Sequence, residues 1–251
     1  MVTSALPAPA APAAPAAPPA GAFGDIDQLL RDRDGLLARV ASGVDLASLT
    51  RVMVATIAAC MAIVGAAIGS YRGGVQIAYG AVKLPLVLLG TAALSAPALT
   101  ALGAALGRRV RLGADLALVI AALAFGALLL AACTPLILLG RSLSLGYHDM
   151  VLGLVVAFAI AGLASLRMIV RALSRESGPG RGSAIVGLCV VFALVGGQLS
   201  WALRPYLVRP RTPEVPFVRE VGDTLFDALA GSLRSVRGIY TRDSAPLPED
   251  R

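Results

Sequence analysis

The chain has 251 residues, of which 57% are hydrophobic and 15% are charged, and its formal net charge is +7. Soluble domains are about 45–50% apolar and about 25% charged, so this composition indicates a lipid-embedded protein and excludes an ordinary soluble one. Aromatic residues make up only 5% and do not alternate with basic ones as in single-strand binders, so nucleic acid is not an expected partner.

The N-terminal part of the chain divides into two segments. Residues 1–24 are rich in Ala and Pro, and the repeated prolines predict a disordered tail because they prevent helix formation. This tail lacks the basic and compact apolar regions of a cleaved signal peptide. Residues 25–50 carry apolar side chains near helical spacing and predict a cytoplasmic amphipathic helical segment. It either lies in the membrane interface or packs on the loops of the bundle.

Residues 51–207 predict an all-α integral membrane bundle of five transmembrane helices. A transmembrane helix needs about 20 apolar residues, and loops containing charged and turn residues separate five such stretches. The second stretch contains Pro85 and Pro97 and is longer than the bilayer is thick, so we expect it to tilt or kink. The predicted spans are approximately 52–71, 77–106, 114–139, 150–170 and 184–203.

The arginines at the junctions predict an orientation. Cytoplasmic loops are enriched in Lys and Arg, so the more basic set of junctions is expected inside. That set holds eight arginines, against five in the other set. We therefore predict a multi-pass protein of the bacterial inner membrane, with a cytoplasmic N-terminus and an extracytoplasmic C-terminus. The inner set is Arg39, Arg51, Arg108, Arg109, Arg111, Arg171, Arg175 and Arg181; the outer set is Arg72, Arg141, Arg204, Arg209 and Arg211.

The C-terminal part follows the fifth span. Residues 208–238 predict an amphipathic interfacial segment, because their apolar residues recur every three or four positions, and residues 239–251 predict a flexible tail. The interfacial segment is expected to fold back on the bundle or to hold a partner. Arg204 is expected to anchor it by pairing with Glu214 or Glu220, and Trp201 fits an aromatic belt at the outer membrane surface.

Three polar residues are the candidates for a functional pocket. Lys83 lies about two turns inside the second span, and an ionisable group in hydrocarbon is by default a functional candidate. Tyr79 lies one turn further out on the same face, and Gln198 lies at a similar predicted depth in the fifth span. Together they predict a polar pocket near the outer leaflet. The alternative is structural: the lysine stem extends to the headgroups.

Other sequence features indicate packing rather than chemistry. Gly65 and Gly69 have the small-xxx-small spacing that allows close helix approach. Asp115 opens the third span, where a carboxylate suits a helix N-terminus. We find no phosphate-binding loop, metal-ligand cluster or nucleophile motif, so no enzyme activity, metal or cofactor is expected.

Two stretches of the chain resemble a known family. The first includes Gly69-Ser70-Tyr71-Arg72-Gly73-Gly74, Gln76, Lys83-Leu84-Pro85-Leu86 and Pro97. The second includes Gln198-Leu199-Ser200-Trp201-Ala202-Leu203-Arg204-Pro205-Tyr206, Pro213, Pro216, Phe217, Arg219, Glu220 and Phe226. Together they resemble an uncharacterised family of bacterial Yip-like polytopic membrane proteins, often mislabelled as actin-binding proteins.

This resemblance covers about residues 25–230 and carries limited functional expectations. The related eukaryotic Yip proteins have five spans and a cytoplasmic N-terminus and act in vesicle trafficking with small GTPases. The resemblance brings no catalytic residues to this chain. The chain departs from the family after the Arg219-Glu220 pair, where Val221-Gly222-Asp223 replace an Asn and an aromatic residue.

The function expected from these features is that of a non-enzymatic membrane scaffold or an assembly or trafficking-type factor. Its surroundings are the lipid bilayer, and a protein partner would bind the N-terminal tail or the C-terminal segment. The alternative is a small transporter or channel component that uses the pocket around Lys83 for an anionic ligand.

Overall fold

A computed structural model describes residues 21–105, 111–175 and 181–202. Within these ranges all regular secondary structure is α-helical, in agreement with the predicted all-α class. The helices are α1 (Ala22–Arg31), α2 (Arg33–Ser42), α3 (Leu46–Gly69), α4 (Val75–Ala105), α5 (Leu112–Ala132), α6 (Thr134–Ser142), α7 (Tyr147–Ser174) and α8 (Arg181–Ala202). Residues 1–20 of the predicted tail 1–24 and the predicted segments 208–238 and 239–251 lie outside the described residues, whereas residues 22–24 belong to α1.

The predicted N-terminal amphipathic segment is a pair of short helices, α1 and α2. The helical path breaks at Asp32, whose backbone leaves the helical region with φ −127° and ψ 66°. The Asp32 carboxylate then accepts the backbone N–H of Gly35 at 2.9 Å, which caps α2. Gly43 ends α2 in the left-handed region with φ 80°, where a residue without Cβ is least strained. We call α1 and α2 together the N-terminal hairpin.

Helices α3 and α4 form the tightest pair of the bundle. A Cβ atom added at Gly65 of α3 would collide with the backbone carbonyl of Gly80 on α4. One turn further along α3, a Cβ atom at Gly69 would collide with the backbone of Gln76. The glycine spacing seen in the sequence therefore corresponds to two points of backbone-to-backbone contact. The left-handed glycines Gly73 and Gly74 make the turn between these helices.

Helix α4 contains Pro85 and Pro97 and still runs for 31 residues. At about 1.5 Å per residue it is about 46 Å long, which exceeds the ~30 Å hydrocarbon thickness as predicted for the second span.

The predicted third span is divided in the structure into α5 and α6. The helix breaks at Cys133, because Pro135 has no backbone N–H and its ring would clash with the preceding helical turn. Together α5 and α6 cover the predicted span 114–139, and the combined stretch Leu112–Ser142 is long and apolar enough to cross a membrane. Helix α5 is the most enclosed of the long helices: Val119, Ala121 and Ala124 have no exposed surface.

Helices α7 and α8 complete the bundle on different sides. Gly126 of α5 lies against Ser165 and Ala161 of α7, so these two helices are close neighbours. Helix α8 runs antiparallel to α4: a Cβ atom at Gly90 would meet Leu199 at 2.7 Å, and one at Gly187 would collide with the Leu102 side chain.

Four helical stretches of the described residues are long and apolar enough to cross a membrane. The third combines α5 and α6, while α8 contains the shorter apolar stretch Ile185–Leu199. The chain therefore has the helices of a multi-pass membrane protein. The four stretches are Leu46–Gly69, Val75–Ala105, Leu112–Ser142 and Asp149–Ser174.

Candidate functional site

Lys83 lies inside the bundle on the packed face of α4. Its side chain is 0% exposed, so it does not extend to the surface of the protein. The Nζ atom lies 5.9 Å from the centroid of the Tyr79 ring, within the distance of a cation–π contact. Gln76, two turns before Lys83, is also fully enclosed. The structure thus brings Lys83 and Tyr79 together, and adds Gln76, which the pocket hypothesis had not included.

Gln198 occupies a different level of the bundle. Its neighbour Leu199 packs against Gly90, and a Cβ atom at Gly196 would lie 3.6 Å from the Thr91 methyl group. Gly90 is seven residues along α4 from Lys83, which corresponds to about 10 Å along the helix axis. Gln198 is therefore about two turns deeper than Lys83.

Most of the predicted tail anchor lies outside the described residues. Trp201 belongs to α8, but its side chain is outside the described part of the structure, and Arg204, Arg219 and Glu220 lie outside the described residues.

The deeper half of α4 carries buried hydroxyl groups that hydrogen-bond within the protein. Thr91 donates to the Val87 carbonyl at 2.7 Å. Thr100 donates to the carboxylate of Asp115 on α5 at 2.8 Å. Asp115 does lie in the first turn of α5, as expected, but it is also buried and joined to α4. The Thr91 hydrogen bond lies within α4, whereas the bond between Thr100 and Asp115 stabilises the contact between α4 and α5.

A buried ion pair holds the N-terminal hairpin together. Arg39 of α2 donates from Nη1 to Asp25 Oδ1 of α1 at 2.6 Å, and the two side chains are only 7% and 5% exposed. The second terminal nitrogen donates to Asp45 at 3.2 Å. Asp45 precedes α3 and adopts a left-handed backbone with φ 49°. The pair links α1, α2 and the start of α3. Sequence reasoning counted Arg39 only as a topology signal.

A second charged contact attaches the hairpin to α7. Asp34 of α2 accepts from Arg171 at 2.7 Å and from Arg175 through its other carboxylate oxygen. These partners come from opposite ends of the described chain, so spacing in the sequence could not reveal them. The neighbouring Arg33 places its guanidinium carbon 4.5 Å from the centroid of the Phe125 ring on α5. The hairpin therefore packs on the long helices α5 and α7, whereas the sequence analysis placed it either in the membrane interface or on the loops.

Several arginines of the inner set lie at one end of the bundle. Arg39 lies within the hairpin, and Arg171 and Arg175 of α7 contact it. The Arg111 guanidinium lies close to Gly43 at the end of α2. We call this the basic end. At the opposite end, the Tyr71 hydroxyl donates to the Leu145 carbonyl at 3.2 Å and joins the α3–α4 turn to the segment between α6 and α7.

A cavity opens at the basic end between α2, α5 and α7. Its volume is about 210 Å³. Apolar side chains of Leu37, Val40 and Leu118 line it, together with the charged residues Arg111, Asp115 and Arg175. The cavity therefore combines an apolar wall with two guanidinium groups, and it lies where the apolar run of α5 begins.

The described residues contain no group of three His, Cys, Asp or Glu side chains that could hold a metal ion. Cys60, Cys133 and Cys189 are free thiols, each half-buried in a different part of the bundle.

The chain matches no protein-family model, no curated protein and no solved structure. The resemblance to the Yip-like family thus stays a prediction based on the residues quoted above.

Proposed function

We propose that the chain is a non-enzymatic scaffold or assembly factor of the bacterial inner membrane, with five spans and a cytoplasmic N-terminus. One observation carries the proposal: Lys83 of α4 is fully enclosed, whereas the N-terminal hairpin is held in place by ion pairs and is exposed at the basic end. A protein that processes a small substrate needs an accessible polar site. A protein that organises partners needs a stable exposed surface.

The exposed surface of the hairpin contains apolar side chains suited to a partner. Phe23 of α1 is 89% exposed and Leu30 is 43% exposed. Phe23 also borders an open apolar groove of about 520 Å³ between α1 and α3. Large aromatic side chains are common anchors in protein interfaces. The resemblance to the Yip-like family supports the same class of function.

Affinity capture from native membranes tests the proposal. The full chain is compared with Phe23→Ala and Leu30→Ala, and with Leu143→Ala as the matched control, since Leu143 is 66% exposed beyond α6 at the opposite end. We expect the hairpin variants to lose specific partners that the control retains. Identical captured proteins for all four chains would contradict the proposal.

A transporter or channel component is the second candidate function. It is favoured by two enclosed polar side chains, Lys83 and Gln76, and by the contact of Lys83 with the half-buried Tyr79, in a helix long enough to span the membrane. Polar groups inside spans often mark ligand or ion paths. Anion flux into liposomes containing the wild-type chain or Lys83→Met decides between the two functions. Flux that depends on Lys83 would replace the scaffold proposal, and equal flux would remove the transport one.

A further inference from the structure

We propose that the cavity between α2, α5 and α7 binds the phosphate group of an anionic membrane phospholipid, with Arg111 and Arg175 as its ligands. Basic pockets between transmembrane helices at a membrane boundary are suited to anionic headgroups. This site lies where α5 begins and α7 ends, so a lipid headgroup at that membrane surface can reach it.

Arg111 is the principal ligand in this site. It is exposed, it lines the cavity, and the described residues provide no ion pair or hydrogen bond for its side chain. Its terminal nitrogen lies near the end of α2, 3.8 Å from the position of a Cβ atom at Gly43. A guanidinium group in this position can donate two parallel hydrogen bonds to phosphate oxygens.

Arg175 contributes a second cation on the α7 side. It already donates to Asp34, while Arg171 donates to the other oxygen of the same carboxylate. Of these arginines, Arg175 lines the cavity together with Arg111. The cavity therefore has two guanidinium groups in its wall, and these favour an anion.

Asp115 determines where in the cavity a phosphate can lie. Its carboxylate is buried and accepts a hydrogen bond from Thr100, so it occupies the closed side of the cavity. The two arginines are exposed, so the phosphate is placed at the open rim next to them. The apolar wall of Leu37, Val40 and Leu118 then faces the glycerol and the first acyl carbons. The site thus fits a lipid better than a free ion.

Equilibrium binding of radiolabelled dioctanoyl-phosphatidylglycerol to the purified full chain in neutral detergent tests the proposal. We expect Arg111→Gln to weaken binding about tenfold, which corresponds to about 1.4 kcal/mol. Arg51→Gln is the matched control, because Arg51 is exposed near the start of α3 and, among the described residues, its side chain donates only to the Ala47 carbonyl. Equal loss in both variants would show general surface attraction and overturn the proposal.

A second variant keeps every charge and fills the cavity. Ala41 is exposed at the α2 side of the cavity, so Ala41→Phe should fold, retain Arg111 and still lose binding. Unlabelled dioctanoyl-phosphatidylcholine and inorganic phosphate are the competitors. We expect both to compete at least tenfold more weakly than phosphatidylglycerol. Competition by phosphate at equal strength would assign the site to a free anion, and unchanged binding in Ala41→Phe would place the lipid elsewhere; either result overturns the proposal.

Discussion

The backbones of Gly65 and Gly80 touch where α3 and α4 cross. Neither residue can carry a Cβ atom without colliding with the carbonyl group of the other. Because lipid tails solvate apolar side chains as well as protein does, close packing of this kind is a main source of helix association in membranes. The α3–α4 pair is therefore expected to contribute strongly to the stability of the bundle.

Replacing Gly65 tests this packing. We expect Gly65→Ala to lower the free energy of unfolding by about 1–3 kcal/mol, because the two backbones must separate. Thermal unfolding in detergent measures the change. Gly153→Ala on α7 is the control, since an added Cβ atom there meets nothing within 4 Å. It should leave the midpoint unchanged or raise it slightly because Ala is the better helix former. Equal midpoints for both variants would contradict the packing argument.

Removal of Arg39 tests the buried ion pair. Arg39→Met leaves the Asp25 carboxylate buried without its partner, and breaking such a pair costs about 3–5 kcal/mol. We expect rapid trypsin cleavage at the exposed arginines of the hairpin. The double variant Asp25→Leu/Arg39→Met should recover most of the resistance. Asp27→Asn is the control, because the Asp27–Arg31 pair is 59% and 82% exposed and contributes about 0–1 kcal/mol. Wild-type resistance in Arg39→Met would refute the role of the pair.

The contact between Asp34 and α7 predicts salt-dependent docking of the hairpin. Its three side chains are about half exposed, so the contact contributes about 1 kcal/mol and is screened by salt. We expect Asp34→Asn to raise amide hydrogen exchange in α2 about fivefold at low salt. In 1 M salt the wild-type chain should approach the variant. A variant that exchanges like wild type at every ionic strength would show that Asp34 does not hold the hairpin.

The predicted orientation is tested by labelling single cysteines in a chain whose native cysteines are replaced by alanine. Ser42 and Ser142 are exposed at the two ends of the bundle. A membrane-impermeant maleimide should label Ser142→Cys in intact cells and label Ser42→Cys only after lysis. A C-terminal epitope accessible from outside would support five spans, whereas an epitope accessible only after lysis would support four. The reverse labelling of the serine positions would invert the proposed orientation.

Apolar stretches, glycine spacing and arginine positions were sufficient to predict the helical class and the approximate location of the long helices. The division of the third span into α5 and α6 was not predicted. Pro135 lies in the first turn of α6, where a missing backbone N–H is tolerated. Local spacing also suggested that Lys83 and Tyr79 share a face, and the structure places them together.

Contacts between distant segments could not be predicted in the same way. The depth of Gln198 in the bundle depends on the axial offset between α8 and α4. No periodic pattern in the sequence determines that offset. The contacts of Arg39 with Asp25 and of Asp34 with Arg171 depend on how two short helices fold over the bundle. In a sequence these residues read as ordinary solvated charges, because their burial and partners are properties of the tertiary structure.

The contact of Asp34 with α7 also has a consequence for biosynthesis. Arg171 is made 137 residues after Asp34, and Arg175 later still. At about 5–20 residues per second, roughly 7–27 s of translation separate them. During that interval α2 has neither arginine available, so the hairpin can contact α3 and α5 but cannot complete its attachment to the bundle. The contact of Asp34 therefore forms only after α7 has been made and has reached the basic end.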